Sequence, residues 1–150
     1  SDLAAVAERF RVLRHANGAV SLSFPELDVK VRDGEVHLRP FERLQSRGLV
    51  SEAMLMAGEA VARYAGEHDI PFPYATQEVA EDLDRAPQGM AAMVAARRKM
   101  RPRRYQGAAA PHQGLGLDSY SQVTSPLRRY LDLVAHQQLR AHLRGEPLLD

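Results

Sequence analysis

The stretch Tyr120-Ser-Gln-Val-Thr-Ser-Pro-Leu-Arg-Arg-Tyr-Leu-Asp-Leu-Val-Ala-His136 carries most of the meaning of this chain. Thr124 and Ser125 are residues that cap helices by accepting from unpaired backbone N–H groups, and Pro126 has the fixed φ of a first helical position. An apolar period comes next, and Gly145 with Pro147 supplies a stop, so the expected helix runs from Pro126 to about Leu143. Arg128 and Arg129 then sit where a helix already bears roughly half a positive elementary charge. Two readings meet that difficulty. Either an external anion is held by the free N–H groups and both guanidiniums, for which a phosphodiester fits, or Arg128 pairs with Asp132 at i+4 and Arg129 lies in solvent. Local physics leaves both open.

Upstream, Leu3, Val6, Ala7, Phe10 and Leu13 recur at the period of an amphipathic helix over residues 3–16, with Ser1 or Asp2 as N-cap and Gly18 as a left-handed stop. Ala19 to Phe24 alternates as a strand would. Leu27-Asp-Val-Lys-Val-Arg-Asp-Gly-Glu-Val-His-Leu-Arg39 is two alternating runs across Asp33-Gly34, a strong hairpin signal. Ser46 to about Glu67 is apolar almost all round, which predicts a helix buried on most of its surface. It contains two acids on one face, Glu52 and Glu59. Glu59 has Arg63 at i+4, whereas Glu52 has Met56 there and no local cation.

A short extended segment is expected near Tyr74–Thr76, a helix from about Gln88 to Met100 ended by Pro102, and a loop over 106–119. The expected class is therefore α+β, a small antiparallel sheet packed with long helices.

A chain of 150 residues, 45% apolar, is about one domain with a real core. The absence of cysteine excludes a disulfide framework and thiolate chemistry, and no apolar run reaches the ~20 residues that span a bilayer. These features place it in the cytoplasm, away from membranes. The start at Ser1, without Met or leader, reads as a piece of a longer protein.

Net charge is only +1, but residues 97–150 hold 10 bases against 4 acids, while residues 24–96 hold 7 against 13. Arg97-Arg-Lys-Met-Arg-Pro-Arg-Arg-Tyr105 packs six cations into its first eight positions and ends on an aromatic able to stack on a base. Such density exceeds what capping a helix C-terminus requires. The six histidines show no ligand spacing, and Glu81-Asp82-Leu83-Asp84 reads as an exposed acidic helix start rather than a metal site.

Taken together, these motifs resemble the catalytic domain of the ribonuclease II / ribonuclease R exoribonucleases. Gly114-Leu115 with Tyr120–His136 after it is similar to that family's signature. Leu49-Val-Ser-Glu-Ala-Met-Leu-Met-Ala57 is similar to its buried helix, and Asn17–Glu26 to its Gly-Ala strand. Order and spacing agree over nearly the whole chain. Departures from the family pattern are Gln122 and Val123 before Thr-Ser-Pro, Ser51, Gly58, Gln137, and Tyr74-Ala-Thr-Gln77 in place of an Arg-x-His stretch.

The resemblance implies processive 3′-to-5′ hydrolysis of single-stranded RNA to nucleoside 5′-monophosphates by a monomer. Magnesium would be held by an aspartate cluster lying upstream of these residues. It casts residues 1–150 as the C-terminal portion of a single catalytic domain. It makes Arg128 the catalytic contact to the scissile phosphate and Glu52 the reader of the ribose 2′-hydroxyl, which DNA lacks. Tyr120, Thr124, Ser125, Arg129, Arg103, Arg104 and Tyr105 become RNA contacts. An inactive RNA-binding relative, or a helical module that meets acidic protein partners, are the alternatives.

Overall fold

Asp33-Gly34 turns the chain as its composition predicts: both residues have positive φ (51° and 80°), and the flanking strands pair antiparallel from Leu27↔Pro40 to Arg32↔Glu35. The computed structural model describes residues 2–41 and 44–149. Its elements are α1 (Asp2–Ala16), β1 (Leu27–Arg32), β2 (Glu35–Pro40), α2 (Gln45–Glu67), β3 (Tyr74–Thr76), α3 (Met90–Lys99), β4 (Arg104–Gln106), a 3-10 turn at Gln113–Leu115, and α4 (Tyr130–Arg144). A second two-stranded sheet pairs β3 with β4 antiparallel, Ala75 opposite Tyr105. The class is α+β, as expected. No helix among the described residues is long and apolar enough to cross a membrane.

Two clusters form the core. One joins the second half of α2 (Ala62, Ala65) to Ile70, Phe72 and Tyr74, Val123, and Ala135 of α4. The other gathers Ala75, Leu117 and Tyr120 under Phe10 of α1 and Leu55 of α2. Small side chains let the helices approach closely. At Gly58 an added Cβ would stand 2.3 Å from the Tyr120 ring and 2.5 Å from the Ser121 carbonyl oxygen.

Four local expectations are corrected. The final helix begins at Tyr130, not Pro126. The α2 helix buries one stripe (Glu52, Gly58, Ala62, Ala65) while Val50 and Met54 are exposed, because neighbours cover only one side of it among the described residues. Residues 19–24 form no strand: the Val20 and Ser21 N–H groups donate to the carbonyls of Gly114 and Arg85, loop partners that offer no ladder. The Glu59–Arg63 pair does not form among the described residues, as an i,i+4 pair with an exposed arginine adds little to hold two flexible side chains together. Of the two expected caps of α1, Asp2 is already helical and Ser1 lies outside the described residues.

Candidate nucleic-acid interface

The signature stretch is fixed before it reaches its arginines. Ser121 N–H donates to the Gly58 carbonyl at 3.2 Å, Ala75 N–H to the Tyr120 carbonyl at 2.8 Å, and Ser121 Oγ to the Pro73 carbonyl at 2.8 Å. On the other side, His136 Nε2 donates to the Val123 carbonyl at 2.7 Å. Residues 120–123 thus hang between β3, α2 and α4, and Tyr120, Ser121 and Val123 are buried.

Ser125 to Arg129 form a separate turn rather than the opening of a helix. The Arg128 and Arg129 N–H groups both donate to the Ser125 carbonyl, at 3.2 and 3.1 Å. Pro126 serves the turn's first corner, a role its fixed φ suits as well as a helix start. Arg129 occupies the cap position of α4 with extended backbone (φ −126°, ψ 117°), and no side chain caps the helix there. Thr124 and Ser125 are therefore not the cap, and the expected trap of helix N–H groups at Pro126 does not form. The physical reason is Asp132. Fully buried in the first turn of α4, it takes Ser125 N–H on Oδ2 at 2.9 Å and both arms of Arg129, Nε at 2.8 Å and Nη2 at 2.6 Å.

Burial opposes the Asp132 charge, but the Arg129 guanidinium and the Ser125 N–H outweigh it and hold the carboxyl below its ordinary range. The same bidentate pair raises Arg129. Arg129 also reaches Thr124 Oγ1 at 3.3 Å. Of the two pairings weighed from the sequence, the carboxylate takes Arg129 at i+3 and leaves Arg128 exposed, with no side-chain partner among the described residues.

Glu52 has a cation that no local pattern shows. Arg14 of α1, buried like Glu52, donates Nε to Oε2 at 3.0 Å and Nη2 to Oε1 at 2.6 Å, while its Nη1 holds the Leu115 carbonyl at 2.9 Å. One guanidinium therefore ties α1, α2 and the 112–117 loop. The signal was present: Ala7, Phe10 and Arg14 share one helical face.

Arg103, Arg104 and Tyr105 are exposed on and beside β4, with the Arg103 guanidinium 5.2 Å from the Tyr105 ring centroid. The Tyr105 hydroxyl donates to Gln122 Oε1 at 2.6 Å, which ties the basic segment to the signature stretch. Tyr120 is a packing residue, 8% exposed, set edge-on to His112, with its phenol pushed up by burial.

No group of three or more His, Asp or Glu among the described residues could hold a metal ion. Asp82 is paired with Lys99 and Asp84 accepts the Ala86 N–H, and the 81–84 run lies in a turn and loop rather than at the expected helix start, since α3 begins only at Met90.

This is an α+β scaffold that offers an arginine without a side-chain partner among the described residues, on a clamped turn next to a basic, aromatic-bearing strand. Residues 1–145 match the family model described as RNB domain, and the chain belongs to that family. It is 43% identical over 153 residues to an uncharacterized ribonuclease of Synechocystis (97% of this chain, 23% of the relative). It is 34% identical to the chloroplastic/mitochondrial ribonuclease II of Arabidopsis thaliana (88% of this chain, 18% of the relative). Among solved structures it is similar to the Dss1 exoribonuclease active-site mutant of Candida glabrata, with TM-score 0.79 and 25% identity, covering 97% of this chain and 21% of that one. The fold alone is also shared with yeast Ssd1, a pseudonuclease (TM-score 0.64, 16% identity, 100% of this chain and 24% of that one). The chain spans about a quarter or less of the length of the curated relatives it matches.

Proposed function

We propose that this chain is the C-terminal portion of a single RNB catalytic domain, in a monomeric cytoplasmic enzyme that hydrolyses single-stranded RNA from its 3′ end. Degradation is processive and releases nucleoside 5′-monophosphates. Arg128 carries the reading: it is exposed and, among the described residues, unpartnered beside an arginine locked onto a carboxylate, in the most family-like stretch of the sequence. In hydrolysis of a phosphodiester the attacking water oxygen bonds to phosphorus, the leaving 3′-oxygen departs, and negative charge collects on the non-bridging oxygens. A guanidinium set against those oxygens stabilises that charge more than the ground state.

Glu52 is assigned to the 2′-hydroxyl of the ribose. Each of its oxygens has accepted one bond from Arg14 and retains a lone pair for a hydroxyl donor. Arg103, Arg104 and Tyr105 guide the strand, electrostatically and by stacking. Thr124 and Ser125 shape the surface that the strand crosses, and Tyr120, expected from the sequence as an RNA contact, is buried and supports the stretch by packing. Magnesium, on this reading, is held by residues outside these 150.

The test uses the intact protein with 3′-labelled and 5′-labelled single-stranded RNA and magnesium. Immediate release of labelled mononucleotide from the 3′-labelled strand, with progressive shortening of the 5′-labelled one, is expected. Release from the 5′ end or internal cleavage refutes the assignment.

A second reading rests on the departures from the family pattern at Ser51, Gln122 and Val123, which fall in the two stretches that would meet RNA. The parent would then hold RNA without cutting it. Retention of the labelled strand with no mononucleotide, under conditions where binding is saturated, selects that reading.

A further inference from the structure

We infer that Asp132 is a positioning residue for Arg128, and that Arg129 is its clamp rather than a second phosphate contact. The inference rests on the proposed role of Arg128 and extends it to two residues that touch neither phosphate nor ribose.

Asp132 closes a ring. Its Oδ2 accepts from Ser125 N–H, where the turn begins, and from Arg129 Nη2, where the turn ends, at 2.9 and 2.6 Å. Its Oδ1 takes Arg129 Nε at 2.8 Å, so the guanidinium is held as a fork and cannot swing. Within the ring, the Ser125 carbonyl takes the N–H groups of Arg128 and Arg129. Both ends of the five-residue turn are thus fixed to the first turn of α4, and α4 is fixed to residues 120–123 through His136 and Val123. The residues left pointing out are Leu127, fully exposed, and Arg128.

A surface i,i+3 ion pair would not carry this inference, since such pairs are weak and loosely held. Here the aspartate is 0% exposed and, among the described residues, every bond its carboxylate makes goes to the turn or its clamp. A buried charge whose partners are removed one at a time is costly, so the ring is either closed or the turn rearranges. Arg129 must be an arginine for this, because a lysine ammonium cannot present two parallel donors to both oxygens while keeping its bond to Thr124.

The test is a double-mutant cycle in the intact protein, read by single-turnover cleavage of a 3′-labelled oligoribonucleotide with magnesium at saturating enzyme. The variants are Asp132→Asn, Arg128→Ala and the two combined, with Arg129→Lys as an independent opening of the ring. Equilibrium binding of the same RNA with magnesium withheld, and thermal melting, accompany each.

Asp132→Asn and Arg129→Lys are expected to slow cleavage about tenfold to a hundredfold while RNA affinity changes less than about threefold, since misplacing a catalytic group by an ångström acts on this scale. The decisive result lies in the combined variant. Asp132→Asn should slow the Arg128→Ala enzyme less than about twofold, because a residue acting only through Arg128 has nothing left to act through. Equal slowing in both backgrounds, as a general loosening of the fold would give, overturns the inference. So does Arg129→Lys with unchanged cleavage, which would show that charge at 129 suffices. If Arg128→Ala itself cleaves at the wild-type rate, it is the proposed role of Arg128 that fails, and the clamp is then only structural. Should Asp132→Asn prove unfolded by melting, Arg129→Lys in both backgrounds decides by the same criterion.

Discussion

Replacing Gly58 by alanine sets two opposed effects against each other, and the distances decide the sign. In a helix interior, alanine is favoured over glycine by up to about 1 kcal/mol, so a substitution that met nothing would stabilise. At Gly58 the new Cβ would lie 2.3 Å from Tyr120 Cε2 and 2.5 Å from the Ser121 carbonyl oxygen, closer than real Cβ contacts come. Relief is blocked on both sides. Tyr120 is buried against His112, and Ser121 is held by its own N–H to Gly58 and its hydroxyl to Pro73. Overpacking of this kind costs about 1–3 kcal/mol and sometimes more. With the top of that range set against the propensity gain, the expected net loss is about 2 kcal/mol, read as a lower Tm and a lower urea midpoint. Gly48, in the same helix with no described residue within 4 Å of its would-be Cβ, is the internal control. There alanine should stabilise by up to about 1 kcal/mol. Thermal and urea unfolding of the intact protein reads both. A Gly58→Ala protein as stable as wild type would refute the claim that residues 120–121 are rigidly seated.

Arg128→Ala should lower turnover by orders of magnitude, a loss of about 2.7–4 kcal/mol at the transition state, with a small change in RNA affinity; equal loss in both, measured by steady-state kinetics and equilibrium binding, contradicts its assignment. Glu52→Ala leaves the buried Arg14 charge without its acid and should cost about 3–5 kcal/mol in urea unfolding. The pair Arg14→Met with Glu52→Leu should recover much of that, and no recovery would show that the ion pair itself is indispensable. His112 is buried and pushed down to about 4, mainly by burial, with Arg103 nearby adding repulsion. Its contribution is whole above the ordinary value of 6.5 and is lost as pH falls toward 4, because there the unfolded chain binds a proton that the folded one refuses. The span corresponds to roughly 3 kcal/mol. His112→Phe should flatten the stability profile between those pH values, and an unchanged slope assigns it to other groups.

The hairpin was legible to within a residue because Asp-Gly with flanking alternation allows few other structures; α1 was legible from its period and α2 from the length of its apolar run. The start of α4 was not. Pro126 satisfies a helix's first position and a turn's first corner equally, and the choice falls to a buried carboxylate seven residues beyond Ser125. Arg14 was half legible. Its place on the face of Ala7 and Phe10 marks it as buried, but its partner on α2 is 38 positions away and no local rule reaches it. Alternation at 19–24 signalled a strand, and could not say that its N–H partners would be single carbonyls of turns and loops instead of a ladder. Burial of α2 depends on what lies beside it, which periodicity does not contain.

Two features far apart in sequence converge on one side chain. The missing Cβ at Gly58 lets α2 close on Tyr120 and Ser121, which seats the strand-like entry to the turn. The buried Asp132 fixes the turn's ends. Neither touches Arg128, and each acts on a different end of the segment that carries it. An exposed arginine normally samples many rotamers and loses about 2 kcal/mol of entropy when held. Backbone fixed on both sides cannot remove that cost, but it confines the guanidinium to the reach of one side chain from one point. Adjacent arginines in this sequence are therefore not a doubled charge. One of them is the anchor that gives the other an address.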